Sequence, residues 1–130
     1  MPTNRDIVLA HYAGLVNRDL DAVMAPLADD IAWIEADGSP LAGTYIGRRA
    51  VADHVFAVLE RDWDGDSLEL DEVVQEGDSV VGIGTRSGTN RATGRSFSAR
   101  VVHLWRFRDG MVVGFEQVID TAMVNEAIDR

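Results

Sequence analysis

The chain predicts an α+β domain in which helices cover one face of a curved, mainly antiparallel sheet. Two observations carry this. Apolar residues recur at helical spacing through much of the first half, and after Arg61 the pattern changes to strand-like runs separated by turn signals. The 130 residues suit one domain, spanning residues 1–130, large enough to bury about two-thirds of the surface its unfolded chain exposes.

The first helix is expected from about Asn4 to Asn17: Thr3 with Asp6 fits a capping box, and Ile7, Val8, His11, Tyr12, Leu15 and Val16 follow at helical spacing. Asp19 is a plausible N-cap for a second, shorter helix through Ala22, Val23 and Leu27, interrupted by Pro26. A strand-like run, Ile31 to Ala36, comes next. Gly38-Ser39-Pro40 and Gly43 mark a loop, and Gly47 precedes a third helix with Val51, Val55, Val58 and Leu59 on one stripe. Strands are expected at Ser67–Gln75, Ser79–Ser87, about Ser96–Arg108 and Met111–Asp120, with a turn over Gly88–Gly94 and a tight hairpin at Asp109-Gly110.

Net charge is −10, and all 12 basic residues are arginine. Such a chain repels phosphate backbones and anionic lipid, which argues against nucleic-acid and membrane partners. With no cysteine, thiolate and redox-thiol chemistry are excluded. The start has no signal-like segment and no apolar run approaches a membrane span, so a cytoplasmic protein is expected.

Two polar residues interrupt apolar strand faces. His103 alternates with Phe97, Ala99, Val101, Trp105 and Phe107, and Glu35 shares a face with Ile31 and Trp33. A titratable group on such a face needs a partner, and each is the best candidate for the other. Desolvation would raise the Glu35 pKa towards the range of a general base, and a protonated His103 would lower it. The two would titrate as a coupled pair, and sequence assigns the shared proton to neither. The opposite face of the His103 strand carries Val102 and Leu104 inside a frame of Arg100, Arg106 and Arg108. An apolar centre rich in arginine suits a homodimer interface; a solvated sheet face is the plainer alternative.

Tyr12–Asp21, Leu27–Trp33, Ser39–Arg48 and Val102–Gly110, with the order of elements, resemble the nuclear transport factor 2-like superfamily, and within it the SnoaL-like and ketosteroid-isomerase-like proteins. The resemblance covers nearly the whole chain. It implies a cone-like fold (cystatin-like/nuclear transport factor 2-like), and a scaffold that hosts isomerases, polyketide cyclases, dehydratases, epoxide hydrolases and proteins with no chemistry. Carried over by motif, Tyr12 falls at the ketosteroid-isomerase tyrosine, Glu35 at the base, and His103 in place of a protonated acid. The expected function is therefore cofactor-independent acid–base chemistry on a small, mostly apolar molecule. Glu35 would move the proton, while Tyr12 and His103 donate to the oxygen that gains charge. Trp33, Val58, Trp105, Phe107 and Phe115 would wall the pocket, with His54 approaching it. The alternative is a ligand-binding or structural protein in which the same pair is a buried hydrogen bond.

Three patterns fail. Asp62–Asp66 resembles the start of a calcium loop but lacks its glycine and bidentate glutamate. Gly82-Ile83-Gly84 lacks a third fingerprint glycine, and strand glycines at a bend are the better account. No local spacing supports a metal triad of His54, His103 and Glu35, so neither metal nor cofactor is expected. The limonene-epoxide-hydrolase pattern needs a cavity arginine flanked by acids; Arg100 and Arg106 alternate away from His103, and no such set is found.

Overall fold

Residues 1–129 are described by the computed structural model. Helix α1 (Asn4–Val16) starts at the expected capping box, with Thr3 and Asp6 exchanging side-chain and backbone hydrogen bonds. Helix α2 (Leu20–Met24) is capped by Asp19. It is shorter than its sequence suggests, because Pro26 lacks the N–H needed to continue and Leu27 already belongs to strand β1 (Leu27–Glu35). Gly14 lets α1 and α2 approach: a Cβ there would lie 3.0 Å from that of Ala22.

Strand β2 (Gly43–Ile46) pairs antiparallel with β1, in a stretch the sequence assigned to loop. Helix α3 spans residues 48–62 and widens to a π turn at Ala52–Phe56. Val51 and Val55 are fully buried, whereas Val58 and Leu59 are only half-buried. The extra residue of the π turn shifts the apolar stripe.

Strands β3 (Trp63–Glu76), β4 (Ser79–Asn90), β5 (Ser96–Arg108) and β6 (Met111–Ile119) form the expected antiparallel series. β4 runs through Gly88 to Asn90, so the turn is shorter than the glycines implied. The six strands are ordered β2-β1-β6-β5-β4-β3, with β1 parallel to β6. Bulges in the β3/β4 and β5/β6 pairings accompany the curvature of this unclosed sheet.

The inner face carries the core: Trp33, Trp105, Phe107 and Phe115 pack under α1 and α3 with Val8, Val51 and Val55. Trp33 stacks on Phe115 with centroids 3.8 Å apart. A second cluster of Trp63, Phe97 and Ala99 is closed by helix α4 (Thr121–Ile128) through Val124 and Ala127. The sequence reading had no fourth helix there, although Asp120 is an N-cap and Val124, Ala127 and Ile128 have helical spacing. On the outer face Val74, Val102 and Val118 are exposed beside half-buried Leu104. No helix among the described residues is long and apolar enough to cross a membrane.

Candidate functional site

Strand register draws the polar interruptions into one line. Ile34 pairs with Glu116 across β1/β6, His103 with Gln117 across β5/β6, and His103 with Gly82 across β4/β5. Glu35, Gln117, His103 and Gly82 are thus neighbours on the inner face. Inward alternation along β4 places Gly82, Gly84, Arg86 and Gly88 together. The glycines leave room that neighbours fill: a Cβ at Gly82 would lie 2.9 Å from the Tyr12 hydroxyl oxygen, and one at Gly84 would meet the β3 backbone at Glu69.

Glu35 and His103 do not touch; Gln117 stands between them. The Trp105 indole N–H donates to the Tyr12 hydroxyl oxygen at 3.1 Å, leaving the hydroxyl proton for His103 Nδ1 at 2.7 Å. His103 Nε2–H then donates to Gln117 Oε1 at 2.9 Å, and Gln117 Nε2–H donates to Glu35 Oε1 at 2.8 Å. The Trp33 indole N–H donates to Glu35 Oε2 at 2.7 Å. This directionality requires a neutral His103 with its proton on Nε2. Burial agrees, pushing the His103 pKa down to about 3 despite the hydrogen bond to Gln117. A fully protonated ring would turn Nδ1 into a donor and leave the Tyr12 hydroxyl proton without its acceptor.

Glu35 is 4% exposed, and loss of water raises its pKa above the ordinary carboxylate value. Hydrogen bonds from Trp33 and Gln117, and the positive field of Arg86, pull in the other direction without overcoming burial. Arg86 is held side-on by Asp66, Nε to Oδ1 at 2.9 Å and Nη2 to Oδ2 at 2.8 Å. Its Nη1 makes a longer contact of 3.4 Å to Gln117 Oε1. Three of the five N–H donors are so engaged.

Glu35, Gln117 and Arg86 form the polar floor of a cleft walled by Leu59, Trp63, Phe97 and Val124, with the Ser39–Leu41 loop at its edge. The cleft encloses about 370 Å³ counting its open mouth, of which about 30 Å³ is deep enough to hold water. The enclosed part is room for one or two waters. The Asn125 amide donates to Gly38 O at 2.8 Å, tying α4 to the loop on this side.

The structure brings Glu35 to the cleft and joins it through Gln117 to His103 and Tyr12, but places those two behind the floor, in the core. Their donor protons, expected to face a ligand oxygen, are already spent on His103 Nδ1 and Gln117. Trp33, Trp105, Phe107 and Phe115 are core residues beneath the helices rather than cleft walls. Val58 is half-buried, and His54 is exposed, since the π turn at Ala52–Phe56 points it to solvent. A metal triad of His54, His103 and Glu35 therefore does not converge, and no group of three possible ligands gathers among the described residues.

Arg86, Asp66 and Gln117 were not singled out. The expectation that no cavity arginine is flanked by two acids rested on Arg100 and Arg106, which do face outward; Arg86 faces in, paired with Asp66 and acting on Glu35. Its signal was a lone charge among strand glycines. Gln117 interrupts the Phe115 and Ile119 face just as Glu35 and His103 interrupt theirs, and only a search restricted to titratable groups passes over it.

A family model described as SnoaL-like domain matches residues 8–115. Among solved structures, the chain is similar to an NTF2-like protein from Burkholderia thailandensis, with 43% identity, all of both chains covered and a TM-score of 0.97. It is also similar to an NTF2-like protein from Burkholderia pseudomallei, with 34% identity, all of both chains covered and a TM-score of 0.91. A third is TerC co-crystallised with polyporic acid, with 29% identity, 98% of each chain covered and a TM-score of 0.87. No curated protein matches.

Proposed function

The chain belongs to the SnoaL-like domain family, and from that premise we propose that it performs cofactor-independent acid–base chemistry on a small, mostly apolar carbonyl compound. The observation that carries this reading is a buried carboxyl group, Glu35, on the floor of an apolar-walled cleft, with a guanidinium nearby. Glu35 removes a proton next to the carbonyl. Arg86 and the second N–H of the Gln117 amide donate to the oxygen as it gains charge. One such donor is typically worth about 2.7–4 kcal/mol of transition-state stabilisation. Tyr12 and His103 act one step back: they fix the Gln117 amide so that its N–H side faces Glu35. TerC was crystallised with polyporic acid, which makes that compound a suitable first ligand.

The test is proton exchange. Ketones such as 2-tetralone, incubated with the protein in D2O, should lose their protons next to the carbonyl faster than in buffer, and Glu35→Gln should abolish the acceleration with the fold intact. Exchange no faster than buffer, or a fully active Glu35→Gln variant, would overturn the catalytic reading. Binding of polyporic acid without exchange would support the ligand-binding alternative, which the saturated Tyr12–His103–Gln117 chain also favours.

We also propose that the outer sheet face pairs two copies of the chain. Val102 and Val118 are exposed neighbours across β5/β6, and Arg100, paired with Asp71, and Arg106, which donates to Ser79, frame this apolar centre with polar groups. Val102→Asp should turn a dimer into a monomer by light scattering; a monomeric parent would refute the pairing.

A further inference from the structure

We propose that the cleft binds small organic carboxylates, with Arg86 receiving the anionic oxygen and Glu35 taking up one proton from solvent as the anion enters. This deepens the reading above by naming a ligand class for the same site, and rests on that reading for the placement of Glu35.

The charge count leads to it. Arg86 and Asp66 cancel as a side-on pair, with side chains 14% and 29% exposed. His103 is neutral, so Glu35 is the remaining charge on the cleft floor. Titratable and charged groups facing Glu35 are Tyr45 from β2, Asp66 from β3, Arg86 from β4 and His103 from β5. From α3 and α4 the cleft receives only Leu59 and Val124. An anion entering beside an ionised Glu35 would set two negative charges against a cation already neutralised by Asp66. In a site of low polarizability that repulsion is severe, and protonating Glu35 removes it.

Donor geometry supplies the other half. Side-on binding by Asp66 uses Nε and one Nη2 proton, and Gln117 uses one Nη1 proton. Two guanidinium protons and one Gln117 amide proton are left by these contacts. They match the lone pairs of a carboxylate oxygen, and the walls of Leu59, Trp63, Phe97 and Val124 suit an aromatic or aliphatic body. A bound carboxylate facing a protonated Glu35 also has the charge pattern of the enolate formed after proton abstraction. Organic acids are therefore expected as inhibitors or products.

Titration calorimetry of the full chain at neutral pH, with benzoate, cinnamate and 2-naphthoate against their carboxamides, tests this. At least one carboxylate should bind tenfold or more tighter than its amide. Repeating the titration in buffers of different ionisation enthalpy should show close to one proton taken up. Arg86→Met should weaken the carboxylate far more than the amide and so remove the preference for the anion. Since that variant strands Asp66 and can fail to fold, Asp66→Asn serves independently: it should tighten the carboxylate several-fold. Glu35→Gln should bind the carboxylate with no proton uptake. Carboxylates bound no better than amides, none bound at all, an unchanged proton count in Glu35→Gln, or no tightening in Asp66→Asn would each overturn the proposal. Failure of the catalytic reading looks different: there the calorimetry holds and exchange in D2O is absent.

Discussion

Replacing Gln117 by leucine removes the one side chain that joins the two halves of the buried network. Gln117 accepts from His103 Nε2 at 2.9 Å and donates to Glu35 Oε1 at 2.8 Å, and it is 4% exposed. Leucine is of similar volume, so packing loss is small, but two buried polar groups lose their partners. Each stranded group costs about 1–3 kcal/mol, giving about 2–6 kcal/mol in total. Glu35 borders the cleft and can recruit water, whereas His103 cannot, so about 3 kcal/mol is expected. The loss depends on pH. The Gln117 hydrogen bond is one of the forces holding the Glu35 pKa down, so the variant raises it further. A carboxyl whose folded pKa lies above its unfolded one contributes stability that is full below the unfolded pKa and is lost as pH rises through the folded value. Urea unfolding of both proteins at neutral and mildly acidic pH measures this, with the gap wider at neutral pH. A loss under about 1 kcal/mol, or one that does not change with pH, would show that Gln117 does not bridge His103 and Glu35.

The two core histidines have pKa values lowered by burial, His11 to about 4 and His103 to about 3. The unfolded chain binds their protons first, so their stabilisation is complete above the ordinary histidine pKa and falls by about 1.4 kcal/mol per pH unit for each as pH drops below it. Glu35 opposes this in part. Melting temperature should fall on acidification from neutral to about pH 5, and a flat or rising profile would contradict buried, neutral rings. Gly82→Ala would put a Cβ 2.9 Å from the Tyr12 hydroxyl oxygen, costing about 1–3 kcal/mol through overpacking. In a Tyr12→Phe background, where that oxygen is gone, the same change should cost clearly less in urea unfolding; equal costs would show that the contact is not the cause.

Much of the fold was legible because its signals are local. The Thr3 capping box, the alternation through β5 and the Asp109-Gly110 hairpin each act over a few residues, and β5 ends where the pattern says. What sequence concealed was pairing between distant segments. The parallel union of β1 with β6 and the short β2 depend on which edges meet in space. Glu35 and His103 were legible as polar breaks in apolar faces, yet the direct pair they suggested is bridged by Gln117, an uncharged residue that titration arguments ignore. Arg86 was hidden by its company: six arginines from Arg86 to Arg108 read as a surface set, and only the glycines flanking it along β4 mark it as inward-facing. The aromatic residues expected to wall a pocket fill the core, because one apolar face serves packing and ligand binding with the same composition.

The Glu35 side-chain carboxyl carbon, followed by NMR through an acid-to-neutral titration, reports its proton directly. A midpoint above the ordinary value of 4.5 is expected, moving higher still in Gln117→Leu. A midpoint at or below the ordinary value would mean that Glu35 is solvated or ion-paired, and would contradict a buried carboxyl poised for proton transfer.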